Sequence, residues 1–296
     1  MGDLLVLGDS VPWGQGLLDE HKFTSLVVKQ LDQTAGPVNV KMDAHSGATI
    51  GVNDPSTKNP KPGEVPFSYP TIMQQLQAAA SNVSDAKWII VNGGINDVNV
   101  RCILNPLYSQ ADLDSDTASY CDGQMTWLLK VLGSSFPQAP VYVVGYYPIL
   151  SYQSDPLGID AIYAAHMASE WTALADKELL RNAVVDHCLR FWKYSTQCLQ
   201  AAVQYANSYH GTNRFIFVDT GFSEANAAFA PQKLLWGVNT APGQLFGPED
   251  EVIALRKTEC DRSCDVLDLF TCYRASAGHP NVAGAAQIAK QILASV

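Results

Sequence analysis

Short apolar runs recur along the chain, each stopping abruptly at small or polar residues, and these stops set the first expectation about its fold. Leu4-Leu5-Val6-Leu7 ends at Gly8-Asp9-Ser10, and Trp88-Ile89-Ile90-Val91-Asn92 ends at Gly93-Gly94-Ile95-Asn96-Asp97. Val141-Tyr142-Val143-Val144-Gly145-Tyr146 and Arg214-Phe215-Ile216-Phe217-Val218-Asp219 have the same form, and Val38-Asn39-Val40-Lys41-Met42 is a more polar version. Continuous apolar runs of this length read as strands buried on both faces, the parallel type. Between them the period turns helical. Phe23, Leu26, Val27, Gln30 and Leu31 share one largely apolar face, and Gly36-Pro37 ends the pattern. Pro70 can start a helix that Ile72, Met73, Leu76 and Ala78-Ala79-Ala80 continue. Further helices are expected around 124–132, across 159–210 and at the C-terminus, where Val282, Ala286, Ala289 and Leu293 share a face. Strands alternating with helices predict an α/β fold with a parallel sheet flanked by helices, read here as one domain over residues 1–296.

Three segments interrupt the pattern. Residues 53–70, rich in Pro, Asn, Lys, Ser and Gly, read as a long surface loop of the kind that forms rims and lids. Arg101 to Gly123 is a polar insertion bounded by Cys102 and Cys121, expected to be a loop stapled by a disulfide. Phe222, Phe229, Leu234-Leu235-Trp236 and Leu245-Phe246 have no regular period, and either line a hydrophobic groove or cover the core.

Open α/β sheets keep their ligand sites at the carboxyl ends of their strands, so the stops are where chemistry is sought. Ser10, delivered by the first run, is a candidate nucleophile; the plainer reading is that Asp9 or Ser10 caps the next helix. After the second strand, Ser46-Gly47-Ala48 offers a backbone N–H that no Cβ shields, as an oxyanion hole requires. The Asn96 amide can donate to an anionic oxygen without bringing a charge, although an Asn-Asp pair is also a common turn. His279, in Ala277-Gly278-His279-Pro280, precedes the last helix. His166, His187 and His210 read as core or surface histidines, because no His-x-x-x-His or His-Glu pair accompanies them.

Taken in order, Gly8-Asp9-Ser10, Ser46-Gly47-Ala48, Gly93-Gly94-Ile95-Asn96-Asp97 and Ala277-Gly278-His279-Pro280 resemble the sequence blocks of the SGNH (GDSL) hydrolase family. The resemblance spans almost the whole chain and implies a flavodoxin-like fold and hydrolysis of carboxylic esters, with Ser10, Gly47, Asn96 and His279 as the four residues that name the family. By this resemblance Ser10 attacks the acyl carbon and His279 takes and returns the proton, while the N–H groups of Ser10 and Gly47 and the Asn96 amide hold the oxyanion. Neither a metal nor an organic cofactor is needed. Acyl transfer to an alcohol would use the same residues, and a binding protein that grips a lipid or glycan without catalysis is a further reading. The chain lacks a Gly-x-Ser-x-Gly elbow, which argues against an α/β-hydrolase arrangement. One departure from the family pattern concerns the position three residues before the histidine, where an aspartate is usual and Ser276 stands here. A serine brings no negative charge to an imidazolium. Asp265, Asp268 or a backbone carbonyl near Ser276 and Ala277 is then expected to hold the ring.

Composition narrows the partners. The net charge is −10, which offers no general attraction to nucleic acid or to anionic membranes. Charged residues make up 16%, where roughly 25% is usual, a leanness that suits a secreted protein. No apolar stretch approaches the ~20 residues a membrane span needs, so stable membrane insertion is not expected. Gly8, Gly14 and Gly16 match neither a dinucleotide fingerprint nor a P-loop. The expected partner is a small-molecule, lipid or glycan ester; nothing indicates an oligomeric state. Seven cysteines fall into the groups Cys102/Cys121, Cys188/Cys198 and Cys260/Cys264/Cys272, without zinc-type Cys-x-x-Cys spacing. Three local disulfides and one free thiol in an oxidising compartment are expected, with reduced buried thiols as the alternative. Met1-Gly2-Asp3 leads straight into the first strand with no signal peptide, so a mature secreted form with an added Met1 is the expectation; Val6 stands where a myristoylation signal needs Ser or Thr.

Overall fold

Leu4, Leu5, Val6 and Leu7 are all fully buried, and the strand they form, β1 (Gly2–Leu7), pairs on both sides. A computed structural model describes residues 2–56, 63–83, 86–166, 176–239 and 249–296. Its sheet contains β1, β2 (Val38–Met42), β3 (Ala86–Val91), β4 (Val141–Val144) and β5 (Phe215–Val218), in the order β2-β1-β3-β4-β5 and parallel throughout. The α/β class, the parallel sheet and the strands expected from the apolar runs are all present. β2 lies at an edge with its central residues exposed, which is why its sequence alternates where the others are continuous.

The order has a consequence for function. From β1 the chain moves outward first to β2 and then, across β1, to β3, so the β1/β3 crevice is the topological switch point of a flavodoxin-like sheet, where such folds bind ligands. Register keeps the two strand ends level: Val6 pairs with Ile90 and Leu7 with Val91. Ser10 and Asn96, each a few residues past those ends, therefore emerge side by side.

The helices cover both faces. α1 (Ser10–Trp13) is a single turn; α2 (Phe23–Ala35) buries Phe23, Val27 and Leu31 on the expected face. α3 (Ile72–Asn82) begins two residues later than Pro70 suggests, because Thr71 and Gln74 form a capping box: the Gln74 N–H donates to Thr71 Oγ1 at 3.2 Å, and the Thr71 N–H to Gln74 Oε1 at 3.0 Å. Past α4 (Ile95–Val98) the polar insertion is not a stapled loop but a series of helices: α5 (Val100–Ile103), α6 (Gln110–Thr117) and a π-helical turn (Ala118–Gln124); α7 (Met125–Ser135) follows where a helix around 124–132 is expected. α8 (Pro156–His166) and α9 (Lys177–His210) account for the helical stretch after β4; α10 (Ile253–Ser263), α11 (Val266–Tyr273) and α12 (Val282–Ala294) complete the chain. On α12 the buried residues are Gly284, Ala285, Ile288, Ala289 and Ile292, a face rotated from the expected one, so that Val282 is exposed. In the segment 53–70, Glu64 and Val65 are buried rather than on the surface, since they pack beneath α10 and α11; residues 57–62 lie outside the described residues.

The cysteine pairing differs most from expectation. Cys260 and Cys272 form a disulfide with a Cα–Cα distance of 5.9 Å that ties α10 to α11, while Cys102, Cys121, Cys188, Cys198 and Cys264 form no disulfide. Cys188 and Cys198 lie on the one helix α9, where about ten residues of rise separate them by roughly 15 Å, too far for a bond. Cys121 is fully buried against Gly94, behaving as a small apolar side chain. None of the described helices is long and apolar enough to cross a membrane. Thiol titration of the denatured, unreduced protein should find five reactive thiols, those of Cys102, Cys121, Cys188, Cys198 and Cys264, whereas a single reactive thiol would restore the three-disulfide pattern.

Candidate active site

Gly8 leaves β1 with φ +139, and a Cβ there would lie 2.6 Å from the Asn92 carbonyl of the neighbouring strand end, so only glycine lets the chain turn here. Both backbone groups of Gly8 are tied to the buried Gln75 of α3: its N–H donates to Oε1 at 2.8 Å and its carbonyl accepts from Nε2 at 3.0 Å. Asp9 then caps α1, its Oδ1 accepting the Val11 N–H at 2.8 Å. Because Asp9 takes the cap, the Ser10 hydroxyl is released from that role. Ser10 Oγ stands 2.6 Å from His279 Nε2, across a sequence separation of 269.

His279 reaches that position on a tightly held turn. The Gly278 N–H donates to the Trp236 carbonyl at 2.9 Å, the Trp236 N–H donates to the His279 carbonyl at 2.7 Å, and Leu235 bridges to Pro280. Asn281 follows as the cap of α12, its side chain accepting the Gly284 N–H at 3.0 Å. Of the aromatic segment after β5, Phe222 and Leu235 are buried, and the Leu234–Trp236 stretch braces the histidine turn instead of lining a groove. Leu245 and Phe246 lie outside the described residues.

The loops bearing Gly47 and Asn96 are stitched to each other. Asn96 Nδ2 donates to the Ala48 carbonyl at 3.0 Å, and the Asp97 carboxylate accepts the Ile50 N–H at 3.0 and 3.1 Å. Since an amide carries two N–H donors, the bond to Ala48 orients Asn96 and leaves its second donor for another acceptor. Gly47 has φ +83, and a Cβ would fall 2.4 Å from the Phe67 nitrogen, so the backbone of 66–67 packs where a side chain would stand. Among the described residues the N–H groups of Ser10 and Gly47 have no hydrogen-bond partner. Tyr146, past the end of β4, links the two sides: its hydroxyl donates to Asp9 Oδ2 at 2.9 Å and accepts the Ile95 N–H at 3.0 Å.

All four residues of the expected site therefore line one cavity of about 220 Å³, whose remaining wall includes Val100, Leu104, Tyr147, Ile149 and Ile162, with Arg101 and Arg274 also on it. Burial pushes the His279 pKa down to about 4, and the carbonyls of Ala277 and Ser276 offset this only in part. Its Nδ1 has no well-aligned hydrogen bond. Burial also raises Asp9 to about 6, against the bonds from Val11 and Tyr146, and raises Asp97 to about 7, against the bond from Ile50. The two carboxyl groups beside the site thus titrate closer to neutral pH than ordinary carboxylates do.

Of the acids expected to hold the ring, Asp265 sits exposed at the start of α11 and makes no bond to His279, and the Asp268 side chain lies outside the described residues. The buried Ser276 hydroxyl instead donates to Asp250 Oδ2 at 2.5 Å, an acid that sequence reasoning missed because it lies 26 residues away in no recognisable pattern. Asp97 and Asp9, next to the residues singled out, were visible as neighbours but not as staples. Among the described residues the grouping with metal-ligand potential is Cys260, Cys264 and Cys272, two of which are spent in the disulfide.

The sheet order and the placement of the strand-end loops give the chain a flavodoxin-like α/β fold, as the resemblance of the sequence blocks implied. Solved structures agree. An extracellular lipase from Streptomyces rimosus matches at 14% identity with a TM-score of 0.54, over 100% of this chain and 99% of the lipase. A phospholipase A1 from Streptomyces albidoflavus matches at 14% identity with a TM-score of 0.51, over 99% of this chain and 98% of the phospholipase. No family model and no curated protein matches the sequence. In an NMR titration the His279 ring should lose its proton near pH 4, well below the ordinary ~6.5. A value at or above 6.5 would mean that the ring is solvated or paired with a carboxylate.

Proposed function

We propose that the protein is a serine esterase that cleaves a carboxylic ester bearing an apolar acyl chain. The observation that carries this reading is the 2.6 Å approach of His279 Nε2 to Ser10 Oγ at the wall of a cavity that Gly47 and Asn96 also line. His279, neutral above about pH 4, takes the Ser10 proton as Oγ bonds to the acyl carbon. The carbonyl oxygen gains the displaced electron pair, and the N–H groups of Ser10 and Gly47 with the Asn96 amide donate to it. Collapse breaks the bond to the alcohol oxygen, which leaves with the proton from His279; water then repeats the sequence and releases the acid. None of these steps calls on a metal or organic cofactor.

The cavity is smaller than the ~300–1,000 Å³ of sites for drug-sized ligands and is walled mainly by aliphatic and aromatic side chains, which supports a short to medium acyl chain. The Cys260–Cys272 disulfide supports a secreted setting, with residues 1–296 acting as one catalytic domain.

After treatment with an alkyl phosphonate, peptide mass spectrometry should place the adduct on Ser10, and Ser10→Ala should be inactive. An adduct elsewhere with Ser10→Ala still active would end this reading. Asn96→Ala should lower kcat by roughly 10²–10³-fold with little change in KM, as expected on losing one oxyanion donor. A raised KM at constant kcat would assign Asn96 to substrate binding instead.

A further inference from the structure

Ser276 is fully buried and is bonded at both ends: its hydroxyl donates to Asp250 Oδ2 at 2.5 Å, and its carbonyl accepts the His279 N–H at 2.9 Å. Asp250 is itself fixed. Arg256 Nη1 donates to Oδ1 at 3.1 Å, Arg256 Nη2 donates to Oδ2, and the Val252 N–H donates to Oδ1 at 3.1 Å. Arg256, with no exposed surface, also donates from Nε to the Tyr273 carbonyl at 3.2 Å and stands 3.9 Å from Glu64. The other half of the dyad rests on the same cluster. Gly16, in the turn that follows α1 and Ser10, presses so closely that a Cβ would lie 2.7 Å from Ser276 Cβ and 3.1 Å from Asp250 Cβ. The Gly16 N–H donates to Glu64 at 3.2 Å, and its carbonyl accepts the Glu251 N–H at 3.2 Å.

We propose that Asp250 is the positioning residue of this site, acting through the Ser276 hydroxyl to hold the 276–279 turn so that His279 Nε2 faces Ser10. The proposal rests on the Ser10–His279 reading above. An aspartate at position 276 would touch the imidazole and bring it a charge; here the carboxylate is one residue removed and its charge is met by Arg256. Asp250 and Arg256 act on the ring in opposite senses, so what the cluster delivers to His279 is placement. The carbonyls of Ser276 and Ala277 act on the His279 ring, and where they lie depends on where Asp250 pins Ser276. Asp250, Arg256 and Glu64 are the charged groups at this cluster, with Lys22 acting on Glu64 from a distance.

The test is a double-mutant cycle of Ser276→Ala, Asp250→Asn and the pair, read as kcat and KM separately on a p-nitrophenyl ester. Ser276→Ala keeps the Asp250–Arg256 pair and should fold; its kcat should fall by roughly 10–10²-fold with KM unchanged, the scale of a misplaced catalytic group. Asp250→Asn should show the same loss and the pair no more than either alone, because both remove one linkage. Should Asp250→Asn fail to fold, with Arg256 left unpaired, the Ser276→Ala result decides alone. Unchanged kcat in Ser276→Ala, equal losses in kcat/KM through KM, or additive losses in the cycle would overturn the proposal. If Ser10→Ala remains active, the esterase reading has failed instead.

Discussion

A hydrogen bond between residues 269 positions apart has to be held at both ends by the fold, because neither residue can find the other through local structure. The sheet order supplies the first constraint. With β3 central and β1 beside it in register, the chain must turn off both strands at one edge, and the turns at Gly8 and Gly93–Gly94 emerge together. Buried backbone groups at those turns then need partners. They find them in Gln75, Asp9, Tyr146 and Asp97, polar side chains that cross from one strand end to the next. Satisfying buried polar groups and fixing the geometry of the site are here the same requirement.

The same requirement raises the pKa values of two carboxyl groups toward neutral pH. Asp9 and Asp97 lie in an interior where their charged forms are poorly solvated, and their pKa values rise accordingly. His279 shifts the other way for the same reason, toward the neutral form that a proton acceptor needs. At this site burial thus sets protonation states more than direct charge pairing does.

Legibility in the sequence followed the physics of each part. Strands buried on both faces are continuous apolar runs, so β1, β3, β4 and β5 could be read to within about two residues at each end. Gly47 was visible only because it recurs in an ordered set of short blocks; its positive φ and the Phe67 backbone that fills the missing Cβ position belong to tertiary packing. The helices between Val100 and Gln124 were missed because cysteine was read as a bonding residue, whereas Cys121 is buried as an apolar one. Asp250 had no legible signal: its partner Ser276 is distant in sequence, and Arg256, the residue that makes its burial tolerable, falls in an otherwise polar helix.

The central claim is that Ser10, Gly47, Asn96 and His279 form one catalytic constellation and not merely neighbours around a cavity. A crystal structure of the protein after reaction with a short alkyl phosphonate tests it most directly, since the phosphoryl oxygen stands where the oxyanion would. The account predicts that this oxygen lies about 2.7–3.1 Å from the Ser10 nitrogen, the Gly47 nitrogen and Asn96 Nδ2, with phosphorus on Ser10 Oγ and the alkyl chain against the apolar wall. An adduct whose oxygen points to solvent, with Asn96 bonded only to the Ala48 carbonyl, would contradict it.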